Sequence, residues 1–268
     1  MAKSSGLGSQ LYFSGYNLSG DVGAISRIAC PRPTLDVTGI NTAGGRERLQ
    51  LLSDGEIAFN AFFNDAGNQE HDALKAKAAV EYVMILVDST GAGGVKGNPA
   101  AMLVALQTNY DWNRGADGSI AATIQALSKG AIGASPTNAG LEWGPDIIGG
   151  TDILTSPAGA GDVTAGEVTA QTTAGAAIQL QILGLTSGTP TFIVQDSSDT
   201  TTGSDGTWAT LKTFTIQAAQ TAERLTVAGT VEKGLRVSGT GTYVSATIAC
   251  AVRRGLAVDS VAYTGSQA

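Results

Sequence analysis

The sequence predicts a mainly β protein: a β-barrel or sandwich with one flanking α-helix, followed by a second all-β sandwich or barrel. Three observations predict it. In Glu56–Phe63, Ile57, Phe59, Ala61 and Phe63 fall on one side and Glu56, Ala58 and Asn60 on the other. That period of two belongs to a strand with one face on a core. Beyond residue 176, short apolar runs alternate with Gly-, Ser- and Asp-containing turns, the spacing of a sandwich. Helical spacing is placed only once: Leu74 and Ala78 lie four apart, and Asn64 or Asp65 stands where a cap belongs.

In chain order, residues 1–24 are Gly- and Ser-rich with scattered aromatics, an N-terminal arm that docks on something larger. A first domain spans 25–130. Ile25–Ile40 is a strand pair or one bent strand, pushed to an edge by Pro31 and Pro33, each of which removes a ladder donor. Thr42–Asp54 reads as a long charged loop studded with leucines, leading into the Glu56 strand and a helix of about 65–78. Val80–Asp88 is a buried strand, Ala101–Tyr110 alternates, and Ser119–Leu127 returns antiparallel after an Asp117-Gly118 turn. Residues 131–176, rich in Gly, Ala, Pro and Thr, form a linker with room for short strands. The second domain, 177–255, holds strands at 177–185, 191–196, 208–216, 224–228, 234–238 and 243–253, and 256–268 is a tail.

The two halves share one echo. Gln107, Asp111, Gly115, Asp117, Gly118 and Ser119 recur as Gln195, Asp199, Gly203, Asp205, Gly206 and Thr207. Asp-Gly ahead of a strand is common turn chemistry, so convergence accounts for it. The alternative is that the second domain is a divergent copy of the first.

Length and charge narrow the function. The chain of 268 residues has ample length for a core, yet charged residues are only 15% of it, below the usual quarter. So little charge implies surface buried against partners. The net charge is −7, spread over both halves, with no basic stripe to grip phosphates. Cys30 and Cys250 read as two reduced, buried small hydrophobes. No run approaches the length of a membrane span, and the N-terminus has no signal-peptide pattern.

No catalytic residues, metal ligands or cofactor site emerge. Gly91–Gly97 lacks the Lys-Ser/Thr ending of a phosphate loop and runs to Pro99 and a strand rather than a helix. Asp196, Asp199 and Asp205 crowd one turn without the alternate spacing of a calcium loop. His71 is the single histidine, expected on the polar side of the helix, so no histidine-based triad or metal cluster assembles. Trp112, Trp143 and Trp208 sit beside turns and are read mainly as core residues.

The run LSDGEIAFNAFFNDAGNQEHDAL, with QTNYDWNRGADGSI, LEWGPDIIGG and the ending SATIACAVRR, resembles the major tail (tail tube) proteins of siphophages. The resemblance implies a tail-tube-like β-barrel or sandwich with one flanking helix, and a non-enzymatic virion protein without cofactors, assembled in the host cytoplasm. Copies would form rings stacked into a tube, holding the tape-measure protein, meeting terminator and tail-tip proteins, and passing DNA in transit. Trimeric rings with pseudo-sixfold symmetry are preferred, the echo being taken as a duplication of the tube unit; hexameric rings, with the second half as an outward decoration, are the alternative. Arg46, Glu47, Arg48, Leu49, Leu51, Leu52 and Asp54 are the expected inter-ring or inter-subunit contact. Lys96 would lie on a lumen or inter-ring loop. The alternative function is a carbohydrate-binding or adhesin-like module in which Trp208 and Asp199 meet a sugar.

Overall fold

The run Tyr82–Val87 has no polar residue, and all six of its side chains are buried. A strand apolar on both faces needs a core on each side, and the fold is arranged around that need. The computed structural model describes residues 8–40, 44–51, 53–76, 81–88, 97–129, 140–149, 153–154, 159–162, 171–201 and 205–255. The strands of the first half are β1 (Gln10–Phe13), β2 (Tyr16–Asn17), β3 (Val22–Ala29), β4 (Thr34–Asp36), β5 (Arg48–Gln50), β6 (Glu56–Phe62), β7 (Tyr82–Val87), β8 (Pro99–Arg114) and β9 (Ile120–Ser128), with helix α1 (Glu70–Leu74) between β6 and β7. Then follow β10 (Glu142–Ile148), β11 (Ile153–Leu154), β12 (Gly159–Asp162), β13 (Ala176–Leu185), β14 (Thr191–Ser197), β15 (Ala209–Thr213), β16 (Thr221–Val227), β17 (Gly234–Thr240) and β18 (Ala246–Arg254). The protein is mainly β, as its alternation predicts.

The 16-residue β8 is the branch point of the large sheet. Its first part pairs with β7 on one edge and β10 on the other, while Ala105–Arg114 pairs with β9. One path therefore runs β2-β1-β7-β8-β10-β18-β13-β16, and a branch runs β8-β9-β6-β3. The main path rolls back on itself without closing: among the described residues β16 and β2 end it, with no ladder between them. A separate sheet, β12-β17-β14-β15, covers the far side.

Three cores separate the resulting four layers. Between the β3-β6-β9 branch and β1-β7-β8 lie Ile57, Phe59, Ala61, Ile124, Phe13, Met84 and Leu103, closed at one end by Ala73 and Leu74 of α1. Inside the roll, Tyr12, Ile85, Val87, Ala100 and Met102 meet Ala249 and Ala251 of β18. On the other face of β13 and β18, Ile178, Leu180, Ile182, Ile248, Cys250 and Val252 pack against Phe192, Val194, Leu235 and Val237. Neighbouring residues of β7, β13 and β18 thus enter different cores, as the pleat dictates.

The inner core holds polar pins as well as small apolar residues. Gln181 Nε2 donates to Tyr12 O (3.1 Å) and Val83 O (2.9 Å), and its Oε1 accepts from Gly15 N (2.8 Å). Arg224 donates from Nε and Nη2 to the two oxygens of Glu142, each at 2.8 Å. Both side chains of that pair are almost fully buried, and Arg253 Nη1 stands 4.0 Å from the same carboxylate. Gly144 lies where β10 passes from β8 to β18. A Cβ there would come 1.9 Å from Val252 O, so only glycine allows the strands to approach.

The structure departs from the sequence reading in several places. Helix α1 covers 70–74 rather than about 65–78, because Asn68 takes a left-handed φ of 64° and ends any helical path from Asn64. Gln69 occupies the cap position without a side-chain bond, while Asn64 Oδ1 accepts from Ala66 N and shapes the preceding turn. Ala78 lies outside the described residues. The stretch read as an N-terminal arm supplies, from Gln10 on, β1 and β2, with Leu11, Tyr12, Phe13 and Leu18 buried. Within 131–176, β10 pairs with β8 of the first half and β18 of the second. Cys250 is buried as expected but Cys30 is exposed, and the two are not bridged. Gly203 lies outside the described residues; the other echo positions lie in the β8–β9 and β14–β15 hairpins, where Gly118 and Gly206 both take positive φ.

Two outcomes test this arrangement. Gln181→Ala removes three buried hydrogen bonds and orphans their backbone partners, so urea unfolding of the full chain should lose about 3 kcal/mol. Arg224→Met alone should cost about 3–5 kcal/mol by stranding the Glu142 carboxylate. Adding Glu142→Leu should recover most of that loss, because the burden is the unpaired charge.

Candidate assembly surface

The segment between β3 and β6 stands clear of the three cores. Pro31 and Pro33 end β3, and the chain resumes as β4, which pairs with β5 through Thr34↔Gln50, Leu35↔Leu49 and Asp36↔Arg48. Two bonds close its base, Leu51 N to Pro33 O (2.8 Å) and Asp54 N to Pro31 O (3.1 Å). Further out, Val37 N donates to Glu47 O (2.9 Å) and Glu47 N to the Thr38 hydroxyl (2.9 Å). What the sequence suggested as a loop is therefore a two-stranded arm. Every described residue of 31–40 and 44–51 is exposed.

Directly paired residues share a face, so the arm is amphipathic. Leu35 and Leu49 lie on one side, with Val37 and Leu51 in the same alternation; Asp36 and Arg48 lie on the other. Leu35, Val37, Leu49 and Leu51 are each 45–52% exposed. A two-stranded ribbon standing alone in water is marginal, and this one turns an apolar face outward. Arg46 reaches Asp36 at 3.8 Å across the polar face, a weak solvent-screened pair. The structure thus brings Arg46, Glu47, Arg48, Leu49 and Leu51 together on the arm, and Asp54 at its foot. Leu52 and Lys96 lie outside the described residues.

A second surface feature gives no strong signal in the sequence. At the opposite end of the β3-β6-β9-β8 sheet, Phe63, His71, Tyr110 and Trp112 form a ring cluster. Phe63 and His71 each contact Trp112 in an edge-on geometry, at centroid distances of 4.7 and 5.1 Å, and Tyr110 meets it at 90°. His71, Lys75, Tyr110, Asp111 and Trp112 line an open cleft there. Tyr110 donates its hydroxyl proton to Glu70 Oε2 (3.1 Å), so His71, 3.0 Å away, carries its proton on Nδ1 and donates to Tyr110. His71 is half-buried in this cluster.

Burial raises the Glu70 carboxyl above its ordinary range, opposed by the Tyr110 hydrogen bond, and Asp21 adds repulsion. Burial also raises the Tyr110 phenol. The folded chain therefore holds the Glu70 proton more tightly than the unfolded chain does. The associated stability is full below pH 4.5, the ordinary value, and is lost as pH rises through the raised one. Glu70→Gln keeps an acceptor for Tyr110 and carries no charge. Its melting temperature should exceed that of the parent at pH 8, and the gap should close as the pH is lowered to about 4.

The remaining tryptophans differ from one another. Trp112 and Trp143 are half exposed rather than core residues. Trp208 donates to Asp205 O at 2.9 Å, and the Arg236 guanidinium covers one face of its ring at 4.2 Å. A sugar stacking on that face meets an occupied surface. Asp199 Oδ1 accepts from Ser197 and from Thr207 N, Asp205 from Thr200 and Thr201, and Asp196 from Glu232 N. Asp199 and Asp205 thus order their own turn, while Asp196 ties β14 to the segment before β17.

No protein-family model matches the sequence, and no curated protein does. Some solved structures are similar at low scores. A chain of the virion of a native gene transfer agent particle is 19% identical over 51% of this chain and 100% of its own, with a TM-score of 0.37. A chain of the tail of an empty gene transfer agent particle, refined with C6 symmetry, gives 18% identity over 52% of this chain and 98% of its own, again at 0.37. The Dit protein of phage SPP1, described as a paradigm of the hub adsorption apparatus in phages infecting Gram-positive hosts, is 9% identical over 92% of this chain and 99% of its own, at 0.32. At these scores the likenesses decide neither fold nor function.

Proposed function

We propose that this chain is a structural subunit of a phage tail, and within it the tail tube protein of a siphophage. The observation that carries the reading is the β4–β5 arm. An apolar face held on an exposed ribbon serves no purpose in an isolated chain and is completed by contact with another molecule. The motifs LSDGEIAFNAFFNDAGNQEHDAL and SATIACAVRR add the resemblance to tail tube proteins, and the low charge fraction fits a chain whose surface is covered in an assembly.

In this reading copies close into rings, and the arms join ring to ring. Arg46, Glu47, Arg48, Leu49, Leu51, Leu52 and Asp54 make the contact. The bore, acidic to neutral overall, holds the tape-measure protein and then passes DNA without binding it. Lys96 belongs to a lumen or inter-ring loop. Ring size follows from the two halves: three chains if they are duplicate tube units, six if the second half is decoration outside the tube. Terminator and tail-tip proteins cap the column, the protein acts in the virion without enzymatic activity, and assembly takes place in the host cytoplasm.

Sedimentation velocity and negative-stain images of the purified full chain, over rising concentration, test this directly. Rings or tubes are expected, and a monomer at every concentration overturns the reading. Leu35→Asp with Leu49→Asp should abolish assembly. It should change the monomer's unfolding free energy by no more than about 0.5 kcal/mol, because both residues are exposed.

A further inference from the structure

Gln179 and Gln181 are alternate residues of β13, both fully buried and both turned into the roll. Gln181 fills both ends of its amide, donating to Tyr12 O and Val83 O and accepting from Gly15 N. Gln179 has no protein partner on either Nε2 or Oε1, and both atoms are shut off from solvent. A primary amide carries two donor hydrogens and two acceptor lone pairs. Leaving such groups bare in a protein interior incurs their full desolvation penalty, and native interiors rarely carry it.

The strand ladders fix what surrounds this amide, because directly paired residues share a face. Asp146 of β10 pairs with Ala251 of β18, Ala251 with Gln179, and Gln179 with Arg224 of β16. Asp146 and Gln179 thus stand on either side of Ala251, two strand spacings or about 10 Å apart at the backbone. Only a methyl group projects between them, and Asp146 is as deeply buried as Gln179. On the other side, Arg224 is committed through Nε and Nη2 to Glu142. An ion does not answer the amide: a cation meets Oε1 and leaves Nε2 bare, and an anion does the reverse. Among the described residues no three side chains gather into a metal site. Water both accepts and donates, and the Asp146 carboxylate offers it a second acceptor; buried waters commonly make about three such bonds.

We propose that Gln179 and Asp146 hold ordered water between them inside the roll, over Ala251. This water joins β10 to β13, which share no ladder because β18 runs between them. The site belongs to each folded chain and does not depend on whether copies associate. A crystallographic or cryo-EM map of the unaltered full chain, sharp enough to show solvent, tests it. The expected result is an enclosed peak within about 2.5–3.2 Å of both the Gln179 amide and the Asp146 carboxylate. A Gln179 amide bonded directly to protein atoms, a site without a peak, or a water touching only one of the two side chains overturns the proposal. In parallel, Gln179→Met keeps the length of the side chain and removes both ends of the amide. A dry, bare amide would make this variant more stable than the parent. With bridging water in place the substitution strands that water and its Asp146 bond, so the urea midpoint should fall. A midpoint equal to or above the parent's overturns the proposal. Because the map is read on the unaltered chain, it decides the matter even where Gln179→Met fails to fold.

Discussion

Burial of β13 and β18 on both faces is the constraint on which the other layers depend. Each strand sends alternate side chains into two cores, so neither half of the chain completes its packing without the other. Ile178, Leu180 and Ile182 hold the outer four-stranded sheet, while Gln179 and Gln181 face inward to the roll. The inward side is small and polar where the outward side is large and apolar. Ala249 and Ala251 permit close approach, and the Gln181 bonds and the Glu142–Arg224 pair then fix position. Apolar contact alone tolerates sliding; directional polar contacts with buried partners do not.

This architecture also explains which features stand outside it. The roll and its covering sheets use β7, β8, β10, β13 and β18 as interior elements, and they leave the β3-β6-β9 branch as an outer wall. That wall keeps one face on a core and exposes the other, with Phe62 lying across Gly23, where a Cβ would come 2.9 Å from its ring. Its two ends carry the arm and the aromatic cleft. Both occur where strands run past the core, at Ala29 and at Trp112, so continuation of the chain beyond its packing creates the surfaces available to partners.

Much of the strand pattern was legible from period two. Glu56–Phe62, Ile120–Ser128 and the second-half strands lie close to where alternation put them, and Tyr82–Val87 close to where its unbroken apolar run did. The layering was not legible, since Leu180 and Gln181 carry no local sign of which core each enters. β10 was hidden in a Gly- and Pro-rich stretch, where Gly144 and Pro145 break the alternation even as they permit the crossing between β8 and β18. The arm's residues were singled out for their mixture of leucine and charge, but its strands, of three residues each, are too short to give a periodic signal. The cleft was missed because Phe63, His71, Tyr110 and Trp112 come from three elements. The only local hint was the pair Tyr110 and Trp112 continuing one face of β8 into solvent.

The unequal settings of the two cysteines have a practical consequence. Cys250 sits in the outermost core with its thiol pushed up by burial, in the company of Asp146, and so resists alkylation in the native state. Cys30 is exposed at the foot of the arm, one residue beyond β3 and beside Gly140. Native protein treated with a maleimide dye therefore acquires a single fluorophore at the foot of its projection, with no engineered residue, and its emission reports the surroundings of that site in real time.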